Sequence, residues 1–168
     1  DMPLQNNTNE SLHSDKYGTS ILAKTNSYES IGSKNTSYIL QKKIGEGAFG
    51  VVWSSIGPDG SAVAIKQICE QKGYVNREID IFRQLSANSH PNIVRLLETY
   101  RCEYNGDLVT HIVMEYFPCS FRNILNELSR KNYRMKEKNT KLYMKQLAKA
   151  LEYIHSQLIC HRDIKPDN

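Results

Sequence analysis

Hydrophobic and polar positions change their spacing along the chain. Alternating or short apolar, β-forming runs predict strands at residues 38–44, 51–56, 62–68, 93–100 and 109–116. Helical spacing predicts one helix within residues 74–85 and, after Pro118, two more at 120–130 and 140–156. The last helix carries an apolar stripe formed by Leu147, Leu151, Ile154 and Leu158. This order predicts an α+β fold, in which a five-strand antiparallel sheet with one helix precedes a helical region.

The N-terminal residues 1–36 differ from the rest of the chain in composition. They are rich in Asn, Ser, Thr and Lys and contain few apolar residues. We expect an extension without a core of its own, with Ile21 and Leu22 as the anchor if part of it docks. The predicted organisation is therefore an extension at 1–36, a strand-rich lobe at 37–117 and a helical lobe beginning at 118–168.

Composition narrows the class of protein. The chain has 168 residues, a net charge of +4 and 39% hydrophobic residues, which suits one domain with a sizeable core. It contains no apolar run of the ~20 residues that a membrane helix needs, and no signal-peptide pattern at its start. The four cysteines lie far apart, as in reduced thiols. We therefore expect a cytoplasmic or nuclear protein without a membrane partner.

The positive charge is concentrated between Arg130 and Lys149, where eight Lys and Arg residues accompany one acidic residue, Glu137. The favoured interpretation is a solvated helix face, and the alternative is a patch for nucleic acid or an acidic partner. No nucleic-acid-binding module surrounds this segment, so we expect no nucleic-acid partner.

The first candidate site is the segment GEGAFGVV at 45–52, which has the spacing G-x-G-x-x-G-x-V. Glycines let the backbone turn tightly and approach phosphate oxygens. In dinucleotide-binding folds this motif ends a strand and opens a helix, whereas here it lies between two predicted strands. That context favours a glycine-rich hairpin that covers nucleotide phosphates.

Two further segments carry charged side chains that could bind phosphates or take part in phosphoryl transfer. Lys66 ends the apolar strand VAIK, and Glu78 lies twelve residues later on the predicted helix, so the carboxylate could anchor the ammonium as a phosphate clamp. The segment HRDIKPDN at 161–168 offers Asp163 to accept the proton of an attacking hydroxyl and Lys165 to neutralise a moving phosphoryl group. Asn168 offers an amide oxygen to Mg²⁺.

With these motifs in order, residues 38–168 resemble a eukaryotic protein kinase. The resemblance implies a two-lobed fold with ATP and Mg²⁺ in the cleft, and catalytic roles for Lys66, Glu78, Asp163 and Lys165. It implies that Val52 and Ala64 cover the adenine, that Met114 is the gatekeeper, and that Glu115 and Phe117 form the hinge contacts. The implied ATP-binding set comprises Ile44, Gly45, Glu46, Gly47, Ala48, Phe49, Gly50, Val52, Ala64, Lys66, Met114, Glu115, Phe117 and Asn168, with Asn168 as the metal ligand.

A closer resemblance is to the glycogen synthase kinase-3 family within the CMGC group. It is carried by NRE at 76–78 and by the run from KLYM at 141–144 through YIHS at 153–156 to ICHRD at 159–163. It implies a monomeric kinase. Lys165, two residues after Asp163, resembles the serine/threonine-specific form of this loop. Its protein substrates would be primed by earlier phosphorylation, with Arg77 and Arg162 binding the phosphate. Scaffold proteins are further implied partners.

Two departures leave alternatives open. The Asp-Phe-Gly metal-binding segment is absent from the 168 residues, so we expect this chain by itself to be inactive. No arginine precedes Arg77, so the arginine-containing inhibitory serine motif of vertebrate members has no counterpart in residues 1–36. The missing segment leaves a pseudokinase scaffold as a competing interpretation. A cyclin-dependent kinase is another, because the Arg directly before Glu78 resembles that of cyclin-dependent kinases as well.

Overall fold

The structure is a computed structural model, which describes residues 30–33, 36–47, 50–70, 77–104 and 107–168. Six strands and three helices fall within these ranges. The strands are β1 (Ser30–Ser33), β2 (Thr36–Gly47), β3 (Gly50–Ile56), β4 (Ala62–Cys69), β5 (Leu96–Tyr104) and β6 (Asp107–Glu115). The helices are α1 (Glu78–Ala87), α2 (Phe121–Arg130) and α3 (Glu137–Ser156).

All six strands join one antiparallel sheet in the order β1-β2-β3-β4-β6-β5. The α+β class and the five predicted strands are confirmed, and β1 is an additional strand from the N-terminal extension. β1 pairs with β2 at one edge and also lies against β5 at the other edge, so the sheet curls back on itself. Ile31 of β1 packs against the core of the sheet. This short strand thereby covers a backbone edge that would otherwise be open for pairing.

The core lies on the inner face of the curled sheet. Along β3 buried side chains alternate with less buried ones, as the period of a strand requires, whereas β4 and β6, at the centre of the sheet, bury consecutive residues. The core comprises Tyr38, Leu40, Val51, Trp53, Val63, Ile65 and Val113.

A buried polar chain crosses the same face. The indole Nε1 of Trp53 donates to Oε1 of Gln67 at 2.7 Å, and Nε2 of Gln67 lies 3.1 Å from Nε2 of His111. His111 stacks on Tyr100 with ring centroids 4.6 Å apart. Burial lowers the pKa of His111 to about 4, against a weaker opposing hydrogen bond to the Val109 backbone.

The helices follow local signals in the sequence. Two acidic residues, Glu78 and Asp80, lie in the first turn of α1, where they complement the helix dipole. α2 begins with a capping box, in which Ser120 and Asn123 each bond the backbone N–H of the other. Tyr153 of α3 contacts the segment after α1, donating to the carbonyl oxygen of Asn88 at 2.8 Å and stacking on His90. This contact joins the sheet and its helix to the C-terminal helices.

Several predicted boundaries were wrong. α3 begins one turn earlier than predicted, and the strand expected from residue 93 begins at Leu96. Leu158 does not extend the stripe of α3, because it follows the helix with a φ of +60° and is 94% exposed. Ile21 and Leu22 lie outside the described residues, and the anchor of the extension that the structure describes is Ile31.

The cysteines and the helix lengths agree with the sequence-based predictions on thiols and membrane spans. All four cysteines are free thiols, and Cys119 is exposed. Across the described ranges, no helix combines the length and the apolar character that crossing a bilayer requires.

Candidate active site

The glycine-rich segment lies where β2 turns into β3, with Gly47 paired to Gly50. It is therefore a strand-turn-strand hairpin, as predicted. Ala48 and Phe49, which come between these two glycines in the sequence, lie outside the described residues. Gly50 has a φ of +116°, and a Cβ there would lie 2.1 Å from the carbonyl oxygen of Gln67, so only glycine fits. A Cβ at Gly47 would meet nothing within 4 Å, so packing does not explain that glycine.

Strand register gathers four predicted ATP-binding residues on one face of the sheet. Val52 pairs with Lys66 across β3 and β4, and Ala64 pairs with Met114 across β4 and β6. Ala64 and Lys66 are two residues apart on β4, so their side chains point to the same face. This face is opposite the buried polar chain, whose Gln67 is the next residue of β4. Ile44, Gly45 and Glu46 lie nearby on β2, where Glu46 accepts a hydrogen bond from Lys43.

The contact expected between Lys66 and Glu78 is present. The ammonium Nζ of Lys66 donates to both carboxylate oxygens of Glu78, at 2.7 and 2.8 Å. Both side chains are partly buried, with 18% and 30% of their surface exposed. Glu78 is the first residue of α1, so the pair fixes the start of this helix against the centre of the sheet. The arrangement holds one positive charge at a defined point on the sheet face.

The predicted hinge follows directly from β6. Glu115 is the last residue of this strand, and its backbone N–H donates to the carbonyl oxygen of Arg95 at 3.1 Å. The side chain of Glu115 forms an ion pair with Arg95 at 3.4 Å. Phe117, two residues later, is 62% exposed. The backbone N–H and carbonyl of Phe117 appear in no hydrogen bond within the described part of the chain, and both groups can therefore receive a ligand.

The 161–168 loop gathers its polar side chains around Asp163. Oδ2 of Asp163 lies 2.7 Å from Nζ of Lys165 and accepts a hydrogen bond of 2.9 Å from Nδ2 of Asn168. The hydrogen bond from Lys165, and then that from Asn168, lowers the pKa of Asp163. Nδ1 of His161 accepts from the backbone N–H of Asp163 at 3.3 Å. The carboxylate is therefore ionised, exposed and held in place from several sides.

Asn168 fits the role of a single magnesium ligand. Its Nδ2 donates to both the backbone oxygen and the carboxylate of Asp163, at 2.7 and 2.9 Å. This orientation leaves Oδ1, a hard oxygen donor, available for a cation. The described residues contain no group of three or more His, Cys, Asp and Glu side chains placed to hold a metal.

The two arginines expected to bind a substrate phosphate are both exposed. Arg77 is the N-cap residue of α1, directly before Glu78, and makes no side-chain capping hydrogen bond. Arg162 has a φ of +64°, a left-handed conformation that is uncommon outside glycine. Within the described ranges, neither guanidinium has a hydrogen-bond or ion-pair partner, and no contact joins the two.

Sequence reasoning missed one pair at this site. Arg122, in the first turn of α2, forms a salt bridge with Asp167 at 3.2 Å. The two residues are 45 positions apart, so no local pattern could have connected them.

The predicted site residues thus form two assembled groups. One is the sheet face with the Lys66–Glu78 pair, and the other is the 161–168 loop around Asp163. The contact of Tyr153 with the segment after α1 connects the two regions. The convergence of Lys66, Glu78 and Asp163 on one triphosphate pocket stays a prediction.

A comparison with known protein families finds a match over most of the chain. The family model of the protein kinase domain matches residues 38–168. The matched range begins within β2 and includes the glycine-rich hairpin, the Lys66–Glu78 pair and the 161–168 loop.

Proposed function

This chain belongs to the protein kinase family, and from that premise we propose that it is a serine/threonine kinase of the glycogen synthase kinase-3 type. Protein kinases use ATP and a divalent metal ion and act on protein substrates. The observation that carries the kinase activity in this proposal is the double hydrogen bond between Lys66 and Glu78. A lysine that only contributes to the protein surface does not require a carboxylate held at the start of a packed helix.

In the proposed reaction Lys66, held by Glu78, binds the α- and β-phosphates of ATP. Asp163 orients the attacking hydroxyl and accepts its proton, and Lys165 balances negative charge on the transferred group. The hydrogen bonds from Lys165 and Asn168 orient the Asp163 carboxylate and lower its pKa, so this group is ionised at neutral pH, as a proton acceptor must be. Asn168 would hold Mg²⁺ through Oδ1, and the bound cation neutralises charge on the phosphates.

The hydroxyl specificity and the subfamily rest on sequence. Lys165, two residues after Asp163, supports serine and threonine as acceptors. The run from KLYM at 141–144 to ICHRD at 159–163 supports the glycogen synthase kinase-3 type. We further propose a monomeric protein of the cytoplasm or nucleus that acts on primed substrates and associates with scaffold proteins. Arg77 and Arg162 are the proposed phosphate ligands, and their lack of partners in the described ranges supports that role.

The phosphate clamp is tested by replacing Lys66 with Met in the intact protein. Loss of a charge that stabilises the transferring phosphates lowers kcat/KM by about 10²–10³, which a radiolabelled-ATP assay measures. Lys141→Met is the matched control, because it removes an exposed lysine that also pairs with a glutamate, Glu137. Equal activity of the Lys66 and Lys141 variants would contradict the clamp. An inactive wild-type protein would favour the pseudokinase alternative.

Priming is tested with a matched pair of substrate peptides, phosphorylated and unphosphorylated. Arg77→Ala lowers kcat/KM for the primed peptide by about 5- to 100-fold, because a charge-assisted guanidinium–phosphate contact is lost. The same variant leaves the unprimed peptide unaffected. Arg83→Ala, an exposed arginine on the same helix, is the control. Equal use of both peptides by the wild type excludes priming, and a cyclin requirement would favour the cyclin-dependent alternative.

A further inference from the structure

The first turn of α2 is joined to the end of the 161–168 loop by main-chain and side-chain bonds. The backbone N–H of Arg122 donates to the carbonyl oxygen of Pro166 at 2.7 Å. This N–H belongs to the first turn of the helix and has no partner inside it. The guanidinium of Arg122 also meets Asp167, with Nε 3.2 Å from Oδ1 and Nη2 3.2 Å from Oδ2. The contact is therefore a two-point fork rather than a single ion pair.

The helix end that carries Arg122 is itself fixed. The backbone N–H of Ser120 donates to Oδ1 of Asn123 at 2.7 Å, and the N–H of Asn123 donates to the hydroxyl of Ser120 at 3.3 Å. Phe117, in the predicted hinge, lies only three residues before this cap. Arg122 therefore reaches the loop from a capped helix turn and not from a flexible segment.

The loop is held from its other side by its own last residue. Asp167 turns its carboxylate to Arg122, while the next residue, Asn168, bonds the backbone oxygen and the carboxylate of Asp163. Two consecutive residues thus connect α2 to Asp163. A shift of the backbone at Pro166 and Asp167, which both bond to Arg122, would therefore also move Asn168.

We propose that Arg122 is a positioning residue, which holds residues 166–168 against α2 and thereby sets the orientation of the Asn168 amide beside Asp163. The proposal rests on the proposed kinase function, in which both of these residues act. Arg122 touches no reactant in this assignment. Its effect passes through Asp167 to Asn168.

Because the Arg122–Asp167 pair is exposed, we expect its loss to affect the 161–168 loop more than the global stability of the protein. The side chains of Arg122 and Asp167 are 45% and 48% exposed, and exposed ion pairs add little to global stability. Substitution should therefore leave the unfolding transition almost unchanged while altering the loop. A second exposed ion pair on α2, between Arg130 and Glu127, provides the matched control, because it lies at the other end of the helix.

The test compares five variants in the intact protein: Arg122→Met, Asp167→Asn, the double variant, Arg122→Lys, and Arg130→Met as control. The first readout is hydrogen exchange of the Asn168 side-chain amide, measured by NMR without nucleotide. We expect exchange at least about threefold faster in the first three variants and unchanged exchange in Arg130→Met, because an exposed ion pair supplies a factor of about this size. Arg122→Lys, which keeps the charge but loses the fork, should give an intermediate rate.

The second readout is kcat, with binding of Mg²⁺ and a non-hydrolysable ATP analogue measured by calorimetry. We expect kcat to fall about three- to fivefold in Arg122→Met and in Asp167→Asn, and no further in the double variant, since both changes break one contact. We also expect the Mg²⁺ concentration for half-maximal analogue binding to rise. Arg130→Met should match the wild type in both measurements.

The outcomes separate this proposal from the proposed function. Unchanged exchange at Asn168 in Arg122→Met overturns the positioning role, even in an active kinase. Additive losses of kcat in the double variant also overturn it. A wild-type protein that transfers no phosphate removes the kinase assignment, while the exchange measurement still decides whether Arg122 positions Asn168.

Discussion

The buried chain inside the sheet and the 161–168 loop are both polar clusters, but they lie in opposite environments. In the sheet, Gln67 and His111 are 7% and 2% exposed, and their polar atoms bond to other protein groups. In the loop, Asp163 and Lys165 retain 59% and 48% of their side-chain exposure. Burial lowers the pKa of His111, whereas hydrogen bonds lower the pKa of Asp163.

This contrast in exposure indicates which property of the protein each cluster controls. An indole N–H only donates, so Oε1 of Gln67 must face Trp53 and its NH₂ group must face His111. Nε2 of His111 is then an acceptor, and the imidazole is held neutral. The indole of Trp53, the amide of Gln67 and the ring of His111 are thus bonded to one another inside the fold. The loop groups are accessible to reactants, so we assign them to chemistry and expect them to affect stability little.

The largest expected effect concerns the loop. Asp163→Asn in the intact protein should lower kcat by about 10³, because the amide cannot accept the hydroxyl proton. The free energy of unfolding should change by less than about 1 kcal/mol, since the side chain is exposed. Kinase assays and urea denaturation measure the two quantities. A large loss of stability with retained turnover would reverse the distinction between the clusters.

The next effect concerns the glycine that lies against the buried chain. Gly50→Ala should destabilise the sheet by about 3 kcal/mol, because the new Cβ would clash with the backbone oxygen of Gln67 at a positive φ. Gly47→Ala, in the same hairpin but in open space, should change stability by less than about 0.5 kcal/mol. Urea denaturation compares the two. Equal effects would mean that the close approach at Gly50 does not constrain the sheet.

Removal of the central link in the buried chain should have a somewhat smaller effect. Gln67→Leu should destabilise the protein by about 2–3 kcal/mol, because it leaves the Trp53 N–H and the His111 acceptor buried without partners. Gln41→Leu, at an exposed position of β2, is the control and should be near neutral. If Gln67→Leu left the free energy of unfolding unchanged, the hydrogen bonds of Gln67 with Trp53 and His111 would add nothing to the stability of the sheet.

The smallest of the four effects is the change in stability with pH that the buried His111 causes. Because His111 has a pKa of about 4 in the folded state, the unfolded chain takes up its proton first as pH falls from 6.5. The contribution of His111 to the free energy of unfolding is therefore fully present above pH 6.5 and is lost as the pH falls towards 4. This loss amounts to about 2 kcal/mol between pH 7 and pH 5. His111→Gln should remove this part of the slope in urea denaturation. An unchanged slope would assign the acid sensitivity to other groups.

Sequence reasoning predicted the fold class, the five central strands and the three helices because these depend on local hydrophobic periodicity. It also identified the glycine-rich hairpin and the segments that carry Lys66, Glu78 and Asp163, because spacing alone defines those motifs. It failed at element ends, where periodicity is weakest. Leu158 continued the spacing of α3, but its backbone leaves the helix after Ser156.

The tertiary structure decided the contacts between residues far apart in the chain. It paired β1, from the predicted N-terminal extension, with β2, joined Trp53 to His111 through Gln67, and placed Arg122 on Asp167. Local sequence patterns record which face of an element is apolar, but not which distant group will meet a given polar atom. That choice follows from the packing of whole elements, because each buried donor or acceptor must find a partner where the backbone brings it.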